Sequence, residues 1–421
     1  MKIAAIIAEY NPFHSGHAAH IEFTKNSGFD AVVAIVSPNF VQRGDVACAD
    51  KWTRAKMALN HGVDLIVELP TPAAISPAEN FAKKGVELAH SLGCVNTLSF
   101  GVESAIFEDF ERTFLVVDSA DFKKLLQENL AKGMSYPAAL SASAVELREW
   151  QTAEVLRNPN NTLGFEYFKA NARHENPFDI LTYKRFGKHD EISLDIEEKL
   201  QNLNSLACQR ATSLNSQTLE SCEIASAMQI RKMMEEGLDF KRFLSEESYK
   251  ILNEEIGQGF APTNILNLES ALLYKLRTMS QEEFKRLPDV SEGLENRIFN
   301  AVKNAVSYED LILKIKTKRY TQARIRRILI AALLEIDRVE MEKPLQYIKV
   351  LGMNEVGEKI LKAVKNTATL PLVTSFKDVQ KLDESAWTAF EVESKATDVF
   401  GLAAKNVREC GREKTAKIVK I

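Results

Sequence analysis

The chain lacks the features that would place it outside the cytoplasm. Its five cysteines (Cys48, Cys94, Cys208, Cys222, Cys410) are odd in number and scattered, without a CxxC pair, so they read as reduced thiols. No apolar run approaches the length of a membrane span, and Met1-Lys2 leads straight into an apolar strand pattern. Neither a transmembrane segment nor a signal peptide is therefore expected. GxGxxG is missing too, which argues against a dinucleotide fold of the dehydrogenase kind. Nor is the chain basic: a formal net charge of −4 means that any contact with nucleic acid must come from a local patch. What remains is a globular composition, 45% hydrophobic and 27% charged, in 421 residues that can hold two or three domains.

One stretch stands out. Ile3–Ala8 is a short continuous apolar run, as in a strand buried on both faces of a parallel sheet, and Asn11-Pro12 punctuates the turn after it. Then comes Phe13-His14-Ser15-Gly16-His17, after which the pattern turns helical. Three of the seven histidines fall between His14 and His20. A strand-to-helix turn gathers backbone N–H groups, and the helix dipole favours an anion there. His14 and His17 are three apart, so one helical turn can aim both rings at a phosphate, and Gly16 permits close approach of a ligand. Two other readings compete: ordinary surface histidines, and a zinc site of His14, His17 and His20. Zinc asks for a further donor, and the nearest carboxylate, Glu9, belongs to the strand end.

Further apolar runs at Ala31–Val36, 64–69, 95–100 and 179–183 alternate with helical patterns at 51–61, 78–92 and 107–157. That alternation predicts an α/β fold with a parallel, doubly wound sheet whose ligands bind beyond the carboxyl ends of the strands. The loop after the second run, from Ser37 through Asp45 to Arg54, is dense in polar groups. Arg43, Lys51 and Arg54 would suit a phosphate or carboxylate, and Phe40 or Trp52 would stack on a base. The alternative is a helix capped at Asp50 with cations facing solvent. Beyond about Phe240 the pattern is helical, with no further strand. Residues 314–327 carry seven cations (Lys314, Lys316, Lys318, Arg319, Arg324, Arg326, Arg327) and no acid, the mark of a polyanion contact rather than a solvated helix face.

EYNPFHSGH resembles the HxGH signature of the nucleotidylyltransferase superfamily, and more closely one branch of it, the bacterial tRNA(Met) cytidine acetate ligases. YKRFG at 183–187, IASAMQIR at 224–231, LGMNE at 351–355 and LPL at 370–372 extend the likeness nearly end to end. The resemblance implies a Rossmann-like, HUP-type parallel sheet with helices on both faces, followed by a mainly α-helical C-terminal region. Residues 1–235 would form the ATP-binding catalytic domain, with a helical insertion at about 104–157, and 236–421 a helical tRNA-binding domain. It implies catalytic roles for His14, His17 and Lys51. ATP contacts would come from Ile7, Ala8, Glu9, Tyr10, Asn11, Pro12, Phe13, His14, Ser15, Gly16, His17, Ala18, Ala19 and His20. Gly101, one of Asn160 and Asn161, Arg185, Phe186, Ser226 and Arg231 would complete them. Met228 stands where the second signature usually has threonine, which leaves one hydroxyl contact in doubt.

On this resemblance acetate attacks the α-phosphorus of ATP to give acetyl-adenylate and pyrophosphate. N4 of the wobble cytidine of elongator tRNA(Met) then takes the acetyl group, with Mg²⁺ bridging the ATP phosphates without protein ligands. The cations at 314–327 would hold the tRNA backbone. Two rivals remain: an adenylyltransferase making a small coenzyme-type product, and a nucleotide- or RNA-binding protein without catalysis.

Overall fold

The computed structural model describes residues 1–185, 225–291 and 293–421. In chain order the strands are β1 (Ile3–Ala8), β2 (Ala31–Val36), a hairpin of β3 (Phe40–Val41) and β4 (Asp45–Val46), β5 (Leu65–Glu68), β6 (Thr97–Val102), β7 (Asp179–Lys184), β8 (Ile348–Met353), β9 (Leu372–Val373) and β10 (Val419–Lys420). Apart from the hairpin they form one sheet in the order β10-β8-β5-β2-β1-β6-β7, with β9 also paired to β8. The five strands from β5 to β7 are mutually parallel, with Ile3 opposite Ala31 and Ala5 opposite both Val33 and Leu98. They match the five apolar runs of the sequence.

Alternation along these strands decides what packs where. Ile3, Ala5, Ile7, Val33, Ile35, Leu65 and Val67 point to one face, covered by helices Ala78–Ser91, Pro159–Ala172 and Glu355–Thr367. Ile6, Val32, Ala34, Val36 and Ile66 point to the other, covered by α1 (Ser15–Asn26), α2 (Lys51–Leu59) and α3 (Ala227–Glu236). Residues 107–157 fold as four short helices whose Phe110 packs against Phe100 of β6 and Phe168.

Two features of the C-terminal half differ from the sequence reading. It is not wholly helical: β8 lies antiparallel beside β5, and β9 and β10 flank it. IKVLGM is buried at all six positions, so it lacks the polar alternation that marks a half-exposed strand. The helical remainder is organised around α4 (Gln322–Leu334), whose Ile325, Ile328, Leu329 and Ala332 form the centre of a second core. Phe40 and Val46 of the β3–β4 hairpin belong to that core, not to the sheet's. Gly44, at the hairpin turn with φ +73°, lies so close to α4 that a Cβ there would stand 2.5 Å from the backbone nitrogen of Arg327.

A buried ionic network ties the halves together. Lys51 Nζ, fully enclosed on α2, binds Glu68 at the end of β5 and Glu413 at 2.9 Å, while Lys349 of β8 reaches Glu68 at 3.1 Å and also Glu413. Thr397 donates to Glu413 at 2.8 Å. Removing one ion from such a network leaves its partners uncompensated in a dry interior. Lys51→Met is therefore expected to destabilise the fold by about 3–5 kcal/mol, read as a lowered urea midpoint at constant slope.

Candidate active site

The carboxyl ends of β1 and β2 and the start of α2 are held together by one guanidinium. Arg54 of α2, fully buried, donates from Nε to the carbonyl of Ala49 (3.0 Å) and from Nη1 to those of Glu9 (2.5 Å) and Ser37 (3.1 Å). Its Nη2 takes the carbonyl of Pro38. These are the chain's exits from β1 and β2, whose carbonyls would otherwise be orphaned. Further bonds fix the β1 exit: Gln42 N–H donates to Glu9 Oε1 (2.9 Å), and Cys48 N–H to Asn11 Oδ1 (2.7 Å). Arg231 Nη1 donates to the Asn11 carbonyl (2.5 Å), which brings the second signature against the first.

At the start of α1, His14 is the N-cap. Its Nδ1 accepts the N–H of Gly16 (3.0 Å), and Nδ1 of His17 accepts the N–H of His14 (3.2 Å), so two orphan donors of the helix are met reciprocally. The rings stack with centroids 3.8 Å apart. Gly16 is required by this closeness, since a Cβ there would come within 2.9 Å of the His14 ring. Because Nδ1 of each ring accepts, each neutral imidazole carries its proton on Nε2 and is a donor there. Burial, with Arg185 and Arg231 nearby, lowers His14 to about 3, and burial with His14 and Arg185 nearby holds His17 well below its ordinary value. The pair thus offers uncharged N–H groups flanked by two arginines, an arrangement suited to phosphate oxygens. His20 is directed elsewhere: Nε2 contacts Ser99 Oγ at 2.9 Å, its ring stacks on Tyr183, and burial lowers it to about 3. The three imidazoles do not converge as the zinc alternative needs.

Across the sheet, Arg185 follows β7 and its side chain lies over Gly101 of β6. Arg185 Nη1 donates to Asn160 Oδ1 (3.0 Å), and Asn160 Nδ2 to Glu103 Oε1 (2.6 Å). Asn161 is fully enclosed, and its Oδ1 accepts the N–H of Glu103 (2.8 Å). Of the two asparagines, Asn160 shares the arginine's side, and Asn161 ties the helix to the turn at Glu103 and Ser104. Glu103, which orients Asn160, was not singled out in the sequence; an acid two residues past a strand-end glycine was the available signal. Phe186 lies outside the described residues. Ser226 caps α3 in a reciprocal pair with Gln229.

Several expectations from the 37–54 loop are corrected. Lys51 and Arg54 point into the protein, one into the ionic network and the other into the carbonyl clamp, and neither is free to touch a ligand. Phe40 is fully buried against Phe400, and Trp52 packs with Lys51 and Arg412, so neither offers a face to a base. Asp50 does cap α2, as the alternative had it. The cationic segment is also less uniform than its sequence. Asp310 pairs with Lys314 and the Asp289 carboxylate with Arg327, so acids absent locally arrive through the fold, while Arg324 donates to the main-chain carbonyl of Asp289 at 2.7 Å. Lys316 and Lys318 are exposed and carry no ion pair among the described residues.

The chain matches the HIGH Nucleotidyl Transferase family over residues 1–201 and 193–415. It is 37% identical over 416 residues to the tRNA(Met) cytidine acetate ligase of Caldanaerobacter subterraneus subsp. tengcongensis, covering 96% of each chain. The tRNA(Met) cytidine acetate ligase of Acetivibrio thermocellus is 34% identical over 432 residues, covering all of both. Among solved structures, Thermotoga maritima TmcAL bound with alpha-thio ATP superposes with a TM-score of 0.86 at 30% identity over the full length of both chains.

Two measurements follow from the neutral imidazoles. At neutral pH, ¹⁵N chemical shifts should place the proton of His14 and His17 on Nε2. Depressed values also mean that, as pH falls from about 6.5 toward 3, the unfolded chain takes up protons the folded chain refuses. Stability present above about pH 6.5 should be lost through that window, and the urea midpoint should fall less steeply with pH in His20→Asn.

Proposed function

This chain belongs to the HIGH nucleotidyl transferase family, in its branch of tRNA(Met) cytidine acetate ligases, and from that premise we propose how its residues carry the reaction. It is an ATP-dependent acetate ligase that acts in two steps. Acetate attacks the α-phosphorus of ATP, expelling pyrophosphate, and N4 of the wobble cytidine of elongator tRNA(Met) then displaces AMP from the acetyl group. The observation that carries the first step is the pair of Nε2–H donors fixed by the Nδ1 bonds at His14 and His17.

Acetate is already ionised, so activation needs no strong base. It needs charge on the α-phosphate to be met as the bond to the leaving group lengthens. His14 and His17 donate to that phosphate, Arg231 and the start of α3 at Ser226 take the departing pyrophosphate, and Arg185 with Asn160 holds the nucleotide over Gly101. Keeping the imidazoles neutral has a consequence: their N–H groups donate at every pH where acetate is charged. Magnesium, when bound, neutralises the triphosphate. The donors around Arg231 and Ser226 are cationic and hydroxylic, which suits an ion held by phosphate and water.

The second substrate reaches the site from the helical half. Lys316, Lys318 and Arg319 in the loop before α4, with Arg326 on its first turns, lie where a phosphate backbone would follow the hairpin toward the sheet edge. A coenzyme-type adenylyltransferase would leave this positive edge unused. A cytoplasmic reaction is supported by its use of ATP, acetate and tRNA and by the free cysteines among the described residues.

Incubation with ATP, labelled acetate and total tRNA should put the label in tRNA(Met); label in a small adenylylated product instead would reject the ligase reading. His17→Ala should slow acetyl transfer by about 10²–10³-fold, as removal of one transition-state donor does. Charge reversal at Lys316 and Lys318 should weaken tRNA binding and flatten its salt dependence by about two phosphate contacts, with ATP affinity unchanged.

A further inference from the structure

Between the two carbonyls that Arg54 and Arg231 hold at the β1 exit stands Tyr10. Its φ of +49° is a left-handed conformation, an outlier for a bulky side chain. The residue is 2% exposed, and its hydroxyl is sealed from water with no hydrogen-bond partner among the described residues. Both features are unfavourable: an aromatic residue avoids this backbone region, and a buried hydroxyl gives up its bonds to water. Such a residue persists only where its surroundings over-determine it. Here they do. Arg54 Nη1 donates to the Glu9 carbonyl before it at 2.5 Å, and Arg231 Nη1 to the Asn11 carbonyl after it at 2.5 Å. Cys48 N–H holds the Asn11 side chain at 2.7 Å.

What this conformation achieves is a ring placed on His17. The Tyr10 and His17 centroids are 5.0 Å apart at 71°, an edge-to-face contact, and Phe13 stands 5.0 Å from Tyr10 and 5.5 Å from His17. His14 stacks on the same imidazole at 3.8 Å. His17 is thus walled by three rings. The enclosure matters because the hydrogen bond that sets its tautomer, from the His14 N–H to His17 Nδ1, is long at 3.2 Å. One long bond holds a ring loosely about its Cβ–Cγ axis, where the torsion has broad wells; close packing on three sides holds it firmly. A half-turn about that axis would put a carbon where Nε2–H now points.

We propose that Tyr10 is a positioning residue for activation: its ring, held by the strained β1 exit, fixes the His17 imidazole with Nε2–H toward the α-phosphate, and its hydroxyl takes no part. The orientation is a property of the fold, while its kinetic consequence rests on the ligase reading above. Tyr10, counted by resemblance among the ATP contacts, therefore acts through His17 rather than by a side-chain contact of its own. The enclosure has a second effect. The titratable and charged groups that act on His17 are His14 and His20 on its own helix and Arg185 after β7, with Arg231 acting on His14 in turn. No carboxylate is among them. Exclusion of water by the surrounding rings is the largest cause of the lowered His17 value, so opening the enclosure should raise it.

The test joins ¹⁵N-histidine spectra of the full-length protein, with His17 assigned through His17→Ala, to acetate-dependent ATP–pyrophosphate exchange. Tyr10→Leu keeps an apolar side chain and the same backbone requirement but loses the ring. It is expected to turn the single Nε2–H tautomer of His17 into a mixture and to raise its titration midpoint by about one pH unit or more. The kcat of exchange should fall about 10-fold or more, with KM for ATP changed less than about twofold. Tyr10→Phe should match the wild type in tautomer, midpoint and kcat. Phe243→Leu removes a fully buried ring from the same core cluster and should lower the urea midpoint while leaving His17 as it is. An unchanged His17 in folded Tyr10→Leu would overturn the proposal, as would an equal change in Phe243→Leu. So would loss of exchange in Tyr10→Phe, which would give the hydroxyl the role. Should Tyr10→Leu not fold, Tyr10→Phe still decides, since any departure from the wild type at His17 counts against a role for the ring alone. Wild-type protein that catalyses no acetate-dependent exchange would reject the ligase reading instead, whatever Tyr10 does to His17.

Discussion

The candidate active-site cleft depends on a buried cation enclosed by main-chain carbonyls. Arg54 gathers the carbonyls of Glu9, Ser37, Pro38 and Ala49, and so fixes the ends of two neighbouring strands and the start of α2 relative to one another. Parallel strands leave their last carbonyls pointing past the sheet, into the region where an anion is to bind. Left free, they would repel it. Turned onto a buried guanidinium, they are satisfied and electrically quiet, and the N–H groups of the next turn are left to face the phosphate. Charge-assisted bonds to four carbonyls also fix the guanidinium plane, which a lysine with its point charge would not do.

The same logic explains why histidines do the donating. An imidazole has two nitrogens, and here one is consumed by the helix: Nδ1 of His14 and of His17 each accept a backbone N–H. The spacing of three between them follows from the capping box, which needs a side chain at the N-cap and another at the third helical position. The motif is thus a helix start whose caps have a second end. Burial, with Arg185 near both rings and Arg231 near His14, then holds them neutral, because further positive charge in that cleft would be repelled. Charge is supplied by the arginines and direction by the histidines.

Much of this was legible in the sequence, and the parts that were not share a cause. Four of the five parallel strands show as apolar runs because both their faces are buried (β7 is a half-exposed edge strand), and the histidine turn shows because its chemistry is concentrated within seven residues. Strand β8 did not show, since six buried residues amid helical pattern carry no period of their own. Lys51 and Arg54 looked like ligand-binding cations because the acids and carbonyls that enclose them come from Glu68, Glu413 and the strand ends. Sequence reading weighs a charge against its neighbours in the chain, while folding weighs it against neighbours in space. The division of 314–327 into paired and unpaired cations has the same origin, through Asp289 and Asp310.

That spatial weighing also bears on how the two halves cooperate. The β3–β4 hairpin belongs to the catalytic half by sequence, yet Phe40 and Val46 are buried in the helical core and Gly44 is pressed onto the backbone of α4. At its other side Gln42 is bonded to Glu9, one residue past β1. β8 and Glu413 run the opposite way, from the helical half into the sheet. Each half therefore contributes structure to the other's core, and the helix carrying Arg326 cannot swing away from the nucleotide site without exposing both. A two-step reaction with a labile acyl-adenylate benefits from this. The second substrate must meet the intermediate where it forms, and under the proposed function a surface built into the activation site would accomplish that.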